Sequence, residues 1–336
     1  MRLRLHAAVL AAILALPLAA RAEKINVSAI RLSSSGPLFI AQDKGFFAAE
    51  GLEVEFKFFT AAQPVAVAVA SGDADLGVTG LTAGFYNLAG KGALKIVAAQ
   101  SRDEPGYQLV AYLASTKAFE GGLDRPAKLA GRTIAITQVG STFHYYVGLL
   151  AEKHKFDLAG VKLVALQSIP NMMSALKGGQ VDAVLAPSVP AIAAVKAGDA
   201  RLLGWAGDET PWQLGALFAS SKLVAEKRAV VERFVRAYQK GTRAYAEAFP
   251  SRDADGNAVP GKDYEAALEI IAKYVQQPPE RVRGGLAYMD ADARLKVADI
   301  HRQVAWWQSQ GQVDKSVVAR DILDLGFVAG HFDVPK

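Results

Sequence analysis

Between Glu23 and about Leu203 the apolar residues fall into two alternating patterns. Short runs rich in Val, Ile, Leu and Phe predict strands at Ile25–Ile30, Leu52–Phe58, Asp75–Thr79, Lys95–Gln100 and Leu109–Ala114. Further strands are predicted at Thr133–Thr137, Lys162–Leu166, Asp182–Ala186 and Arg201–Trp205. Stretches with apolar positions three and four apart fill the gaps, for example Ser141–His154 and Ile169–Lys177, and these predict helices. Such alternation builds largely parallel sheets covered by helices, giving an α/β fold. Beyond Ser221 the period changes. "VAEKRAVVERFVRAYQKGTRAYAEAF" and "ARLKVADIHRQVAWWQSQG" keep helical spacing, so the end of the chain is expected to be nearly all helical. The aromatic pairs Phe46-Phe47 and Trp306-Trp307 read as packing.

The pattern repeats itself. "SGDADLGVTG" begins at Ser71 and "GGQVDAVLAP" at Gly178, which sets Asp75 and Asp182 107 positions apart. Each aspartate opens a strand after a glycine that ends a helix. Ser35 and Ser141, each following a strand, are 106 apart. One shared offset across separate features argues for two similar α/β lobes in series. "RDEPGYQL" from Arg102 and "GDETPWQL" from Gly207 are alike too, each an acidic-proline-aromatic turn beside a strand. Read as two crossings between lobes, they divide the chain into residues 23–105 (first part of lobe 1), 106–212 (lobe 2), and 213–336 (the return to lobe 1 and its C-terminal helices). A lobe interrupted by another and joined to it by two strands is a hinged binding cleft.

The start of the chain changes what the charge means. A basic opening, an apolar run over Ala7 to Ala20 and the small-x-small site Ala20-Arg21-Ala22 are the marks of a secretory leader over residues 1–22. The run is short for a membrane span. Without Arg2, Arg4 and Arg21 the formal net charge falls from +5 to +2, and with no Lys/Arg run nucleic acid binding is not expected. There is no cysteine, which rules out disulfides, thiolate metal sites, a cysteine nucleophile and a lipoprotein anchor. A soluble monomer in an envelope compartment or outside the cell follows as the expectation.

In open parallel sheets ligands bind beyond the carboxyl ends of the strands, where helix N-termini point. Four such ends are legible: Ser33, Ser34, Ser35 and Gly36; Thr79, Gly80 and Thr82; Gly140, Ser141 and Thr142; Pro187 and Ser188. Small residues let a ligand approach the backbone, and free N–H groups with the helix dipole favour an anion. Any one of these segments is also an ordinary helix cap. All four together, two from each lobe, fit a shared cleft. Phe39, Phe85, Phe143, Tyr145 and Trp212 are candidate walls, with Phe39 and Phe85 read first as core, and His144 either touches ligand or lies exposed. Hydrolase, zinc-protease, phosphate-loop and dinucleotide signatures are absent. No catalytic residue, metal or cofactor is expected, although Ser141 and His144 stand close enough in sequence to keep a hydrolase-like enzyme as an alternative.

These segments resemble a known family. "GPLFIAQDKGFFAAEGLEVEF", "VASGDADLGVTG", "LAGRTIAI" and "SALKGGQVDAVLAPSVP" are similar to motifs of the periplasmic substrate-binding proteins of ABC importers, of the aliphatic-sulfonate, taurine, nitrate and thiamine-precursor type. The resemblance implies a two-lobed, type II-like binding-protein fold with a C-terminal helical tail on lobe 1. It implies capture of a small anionic organic solute, a sulfonate or an aromatic or aliphatic carboxylate, and delivery to an inner-membrane ABC permease with its cytoplasmic ATPase. By position it implies Ser35, Thr79, Gly80, Gly140, Ser141, Thr142 and Ser188 as ligand-lining residues. Nitrate or a pyrimidine precursor is the alternative ligand, and a receptor subunit that signals is the alternative role. The cysteine-rich motif of the family's enzyme relatives has no counterpart here.

Overall fold

The computed structural model describes residues 22–254 and 256–335. The expected leader, apart from Ala22, lies outside the described residues. Ten strands form the sheets of the two lobes, and two more cross between them. The first sheet uses β1 (Glu23–Ile30), β2 (Leu52–Phe59), β3 (Leu76–Gly80) and β4 (Leu94–Ala99). After the crossing strand β5 (Ser101–Asp103), the second sheet uses β6 (Val110–Ser115), β7 (Thr133–Ile136), β8 (Lys162–Ala165), β9 (Ala183–Pro187) and β10 (Ala200–Trp205). The second crossing strand β11 (Trp212–Gln213) leads back to β12 (Gly215–Ser220) in the first sheet.

The two sheets have one topology. The first runs β2-β1-β3-β12-β4 and the second β8-β7-β9-β6-β10. In each, the first two pairings are parallel, and one strand, β12 or β6, runs antiparallel to both its neighbours. The antiparallel strand is the one that arrives from the other lobe. A chain entering at the cleft end must run away from it, against strands that end there. The expected parallel sheets are therefore each interrupted once, and β12, absent from the predicted strands, is the return.

The repeat has a physical basis in its aspartates. Asp75 Oδ2 accepts from the N–H of Asn26 at 2.8 Å, and Asp182 Oδ2 accepts from the N–H of Thr133 at the same distance. The backbone of each aspartate also bonds the partner strand and the incoming strand: Asp75 with Asn26 and Ser220, Asp182 with Thr133 and Ser115. A short acidic side chain at this corner satisfies a strand-end donor that would otherwise be left unpaired.

β5 and β11 lie side by side, antiparallel, with Trp212 opposite Asp103, and the short strand Tyr288–Met289 pairs on the far edge of β5. The crossings are thus one small sheet between the lobes. The helical tail packs on lobe 1, where helix Arg228–Ala248 stacks Phe234 on Phe47 at 4.7 Å. The last helix, Val297–Ser309, also reaches lobe 2. Its Trp306 and Trp307 meet His144 and Tyr145, while Gln303 bonds both Tyr86 of lobe 1 and the carbonyl of Gln213 in the crossing. Among the described residues no helix is long and apolar enough to cross a membrane.

Candidate functional site

Segments from both lobes meet around a small chamber of ≈ 70 Å³. From lobe 1 come the turn Ser33–Ser35 after β1 and Thr79-Gly80 at the end of β3; from lobe 2 come Thr137 after β7 and Thr142-Phe143 at the start of helix Thr142–His154. The lobes touch across it. The N–H of Ala83 donates to Gly140 O at 2.9 Å, and a Cβ at Gly80 would lie 2.8 Å from Thr142 Cγ2.

Its chemistry is that of unspent hydroxyls. Ser33 donates to Gly285 O and Ser35 to Ile30 O, so both are used by the fold. Gln100 donates to Ser34 O at 3.0 Å, holding that carbonyl. The hydroxyls of Ser34, Thr79, Thr137 and Thr142 line the chamber and bond no other group of the described protein. All four residues are at most 8 % exposed. Four around one chamber are a donor–acceptor set that a ligand there can reach. No Asp, Glu, Lys, Arg or His lines it, and Tyr146, the one ionisable residue there, donates its hydroxyl to Asp103 Oδ2. The rest of the wall is apolar, including Ile30, Val78, Val110 and Leu214. The helix Thr142–His154 adds its dipole and the first-turn N–H groups that no helix bonds internally.

Of the residues proposed from sequence, Ser34, Ser35, Thr79, Gly80, Thr142 and Phe143 line this chamber, and Gly36, Gly140, Ser141, Ser188 and Trp212 do not. Gly36 lies against the tail, where a Cβ would meet Ile271 and Tyr245 at 3.0 Å, so its small size serves packing. Gly140 takes φ 84°, a left-handed turn, and donates its N–H to His144 Nδ1 at 3.2 Å. Ser141 caps the helix by accepting from the N–H of His144, and its own N–H goes to Gln138 O. The cap explains the serine. Ser188 is buried at the junction with Gly285 of the tail. Trp212 is buried in the crossing, 4.6 Å from the Tyr145 ring and 5.1 Å from that of Tyr146. Thr82 is likewise a cap, bonded to Phe85 N–H and Gln63. Phe39, Phe85 and Tyr145 are core. His144 is neither on the chamber nor exposed: it is 7 % exposed, and burial pushes its imidazole down to about 4.

Three lining positions escaped the sequence reading although the repeat marks them. Thr137 stands 107 after Ile30, and Ile169 stands 107 after Ala62; Ala62, Thr137 and Ile169 all line the chamber, as does Ile30. Extending the offset from the four chosen ends to the remaining strand ends would have found them.

A family model described as NMT1/THI5 like matches residues 33–251. The taurine-binding periplasmic protein of Escherichia coli (strain K12) is 32% identical over 181 residues, 52% of each chain, so the chain spans about half the length of the curated relative it matches. Among solved structures, the alkanesulfonate-binding protein SsuA from Xanthomonas axonopodis pv. citri, bound to MOPS, superposes with a TM-score of 0.72 at 20% identity, covering 91% of this chain and 100% of that one. The periplasmic nitrate-binding protein NrtA from Synechocystis PCC 6803 gives 0.71 at 13% identity, over 90% of this chain and 86% of that one. At those identities the likeness is one of fold.

Proposed function

The chain belongs to the NMT1/THI5-like family, and from that premise and the cleft we propose that it is the periplasmic solute-binding component of an ABC importer. It captures a small organic anion, a sulfonate or carboxylate, between its lobes and hands it to a membrane permease. The observation that carries this reading is the set of four unpartnered hydroxyls, two from each lobe, around an uncharged chamber. A ligand that bonds all four joins the lobes, so binding and closure become one event. Hydroxyls and first-turn N–H groups can hold an anion without a countercharge, and the surrounding apolar wall strengthens each bond. The same neutrality argues against turnover: no general base, nucleophile pair or metal cluster stands at the chamber. The likeness to the taurine-binding protein supports the ligand class.

The test is a calorimetric and thermal-shift survey of sulfonates, aromatic and aliphatic carboxylates, nitrate and pyrimidines. A specific ligand at a hundredfold excess over its Kd raises stability by about 2.7 kcal/mol. Absence of any organic anion among the binders overturns the ligand class, and catalytic turnover of a bound compound overturns the binding role.

A further inference from the structure

The small chamber opens into a larger one. Ile30, Leu32, Ser33, Ile169 and Pro187 line both, and the outer space measures ≈ 910 Å³. The two differ in charge. The inner chamber has no charged residue; the outer one is walled by apolar side chains such as Phe58, Phe59, Met173 and Val275 but carries Arg31, Lys177, Arg281 and Asp199. Lys177 and Asp199 pair at 3.0 Å and cancel. Arg281 bonds only the side-chain oxygen of Gln277, at 3.3 Å. Arg31 has no acidic partner among the described residues.

Arg31 is nevertheless held in place. Its Nη1 donates to Tyr274 O at 2.8 Å, and its guanidinium lies 3.8 Å from the Phe58 ring centroid. One N–H is used, the plane is fixed by stacking, and the remaining donors are free at the wall of the outer chamber. At the equivalent position of lobe 2, 107 residues on, stands Gln138, so lobe 2 has no counterpart of this cation.

Size decides what such a pair of chambers takes. The inner one has room for about five waters, enough for a sulfonate or carboxylate and a carbon or two. A larger solute must extend past Ile30 and Ile169 into the outer chamber. Building on the role proposed above, we propose that the outer chamber is a second anion subsite, and that the solute carries acidic groups at both ends of an apolar body. The inner group takes the four hydroxyls, the body lies against Phe58, Phe59 and Met173, and the outer group pairs with Arg31. A guanidinium desolvated on one face by Phe58 binds a carboxylate more strongly than one free in water.

Matched probes test this: benzenesulfonate against 4-sulfobenzoate, and hexane-1-sulfonate against 6-sulfohexanoate, by calorimetric titration. The expected result is a preference for the doubly acidic member of at least one pair by about tenfold or more at low salt, shrinking as salt rises. Arg31→Gln brings that ratio close to one, and Arg31→Lys retains most of it, which separates charge from the stacking on Phe58. Equal affinities within both pairs in the parent protein, or a preference that survives Arg31→Gln, overturns the second subsite. If taurine or nitrate binds and none of the four probes does, the second subsite falls and the solute-binding role stands. If no small anion of any kind binds, both fall.

Discussion

Thr142 and Ser141 are neighbours with opposite duties. Thr142 turns its hydroxyl to the chamber, and Ser141 spends its own on the helix. Thr142→Val keeps the shape and removes one ligand bond, so it should weaken binding of the identified ligand roughly five- to tenfold with little change in melting temperature. Ser141→Ala should do the reverse, costing about 1 kcal/mol of stability through the lost cap; calorimetry and thermal melts on both variants separate the two. Two buried groups nearby titrate with opposite sign. His144 holds its neutral form by burial, with a folded value of about 4 against 6.5 unfolded. Between those values the unfolded chain binds the extra proton, so stability is lost as pH falls. Asp103, buried beside Tyr146 and Trp212, is pushed up to about 7 from 3.8, so the folded chain holds the proton and stability is lost as pH rises through that window. The two slopes oppose each other, each worth a few kcal/mol at most. Asp103→Asn removes one of them, and melts from pH 4 to 7 should then show a steeper loss toward acid than in the parent. An unchanged profile would place the titration elsewhere.

Strand ends and helix starts do the positioning, and glycines set how near they come. Gly80 ends β3 against Thr142 of the other lobe, where a methyl would lie 2.8 Å from Cγ2 and 3.4 Å from Leu214 Cδ1. Gly80→Ala should prop the lobes apart and lower ligand affinity by about tenfold, while melts without ligand move little, because the contact crosses the cleft rather than a lobe core. The aspartate corners give the opposite outcome. Asp75→Asn and Asp182→Asn each disturb the acceptor for a strand-end N–H. Each should cost about 1–3 kcal/mol, and the two costs should be similar because the two corners share one geometry. Urea melts test the equality. Much of this was legible beforehand: the Asp75/Asp182 offset marked the corners, and the serine and threonine runs marked the strand ends. Which hydroxyl faced the ligand was not, since Ser34, Ser35, Ser141 and Thr142 are alike in sequence and differ only in the partner each finds.

The whole molecule is two copies of one lobe joined by a small sheet. Closure is expected to turn about β5 and β11, which sit paired between the lobes, while the tail touches both sides through Ser33, Gly285 and Ser188. The described arrangement already has the lobes in contact, with Ala83 bonded to Gly140. A ligand bonded to hydroxyls of both lobes adds contacts that only the closed form can make, so the free protein should be more open than the bound one. Small-angle scattering should give a larger radius of gyration without ligand than with it. Equal radii, with binding confirmed by calorimetry, would mean a preformed site.

Local pattern was enough for nine strands of the two sheets, for helices between them and for the repeat. Each of these rests on short-range chemistry: apolar period, a glycine at a helix end, an aspartate that meets a strand 49 residues away by a rule the second lobe repeats. The antiparallel return strand, the reach of Trp306 and Trp307 across to His144, and the burial of Trp212 between two tyrosines depend on segments that meet only after both lobes form. So does the charge layout of the cleft. Arg31 and Thr137 each directly follow a strand, but that position alone does not tell which faces a neutral chamber and which an open, cationic one. That is set by where the lobes meet, and it is there that the ligand is chosen.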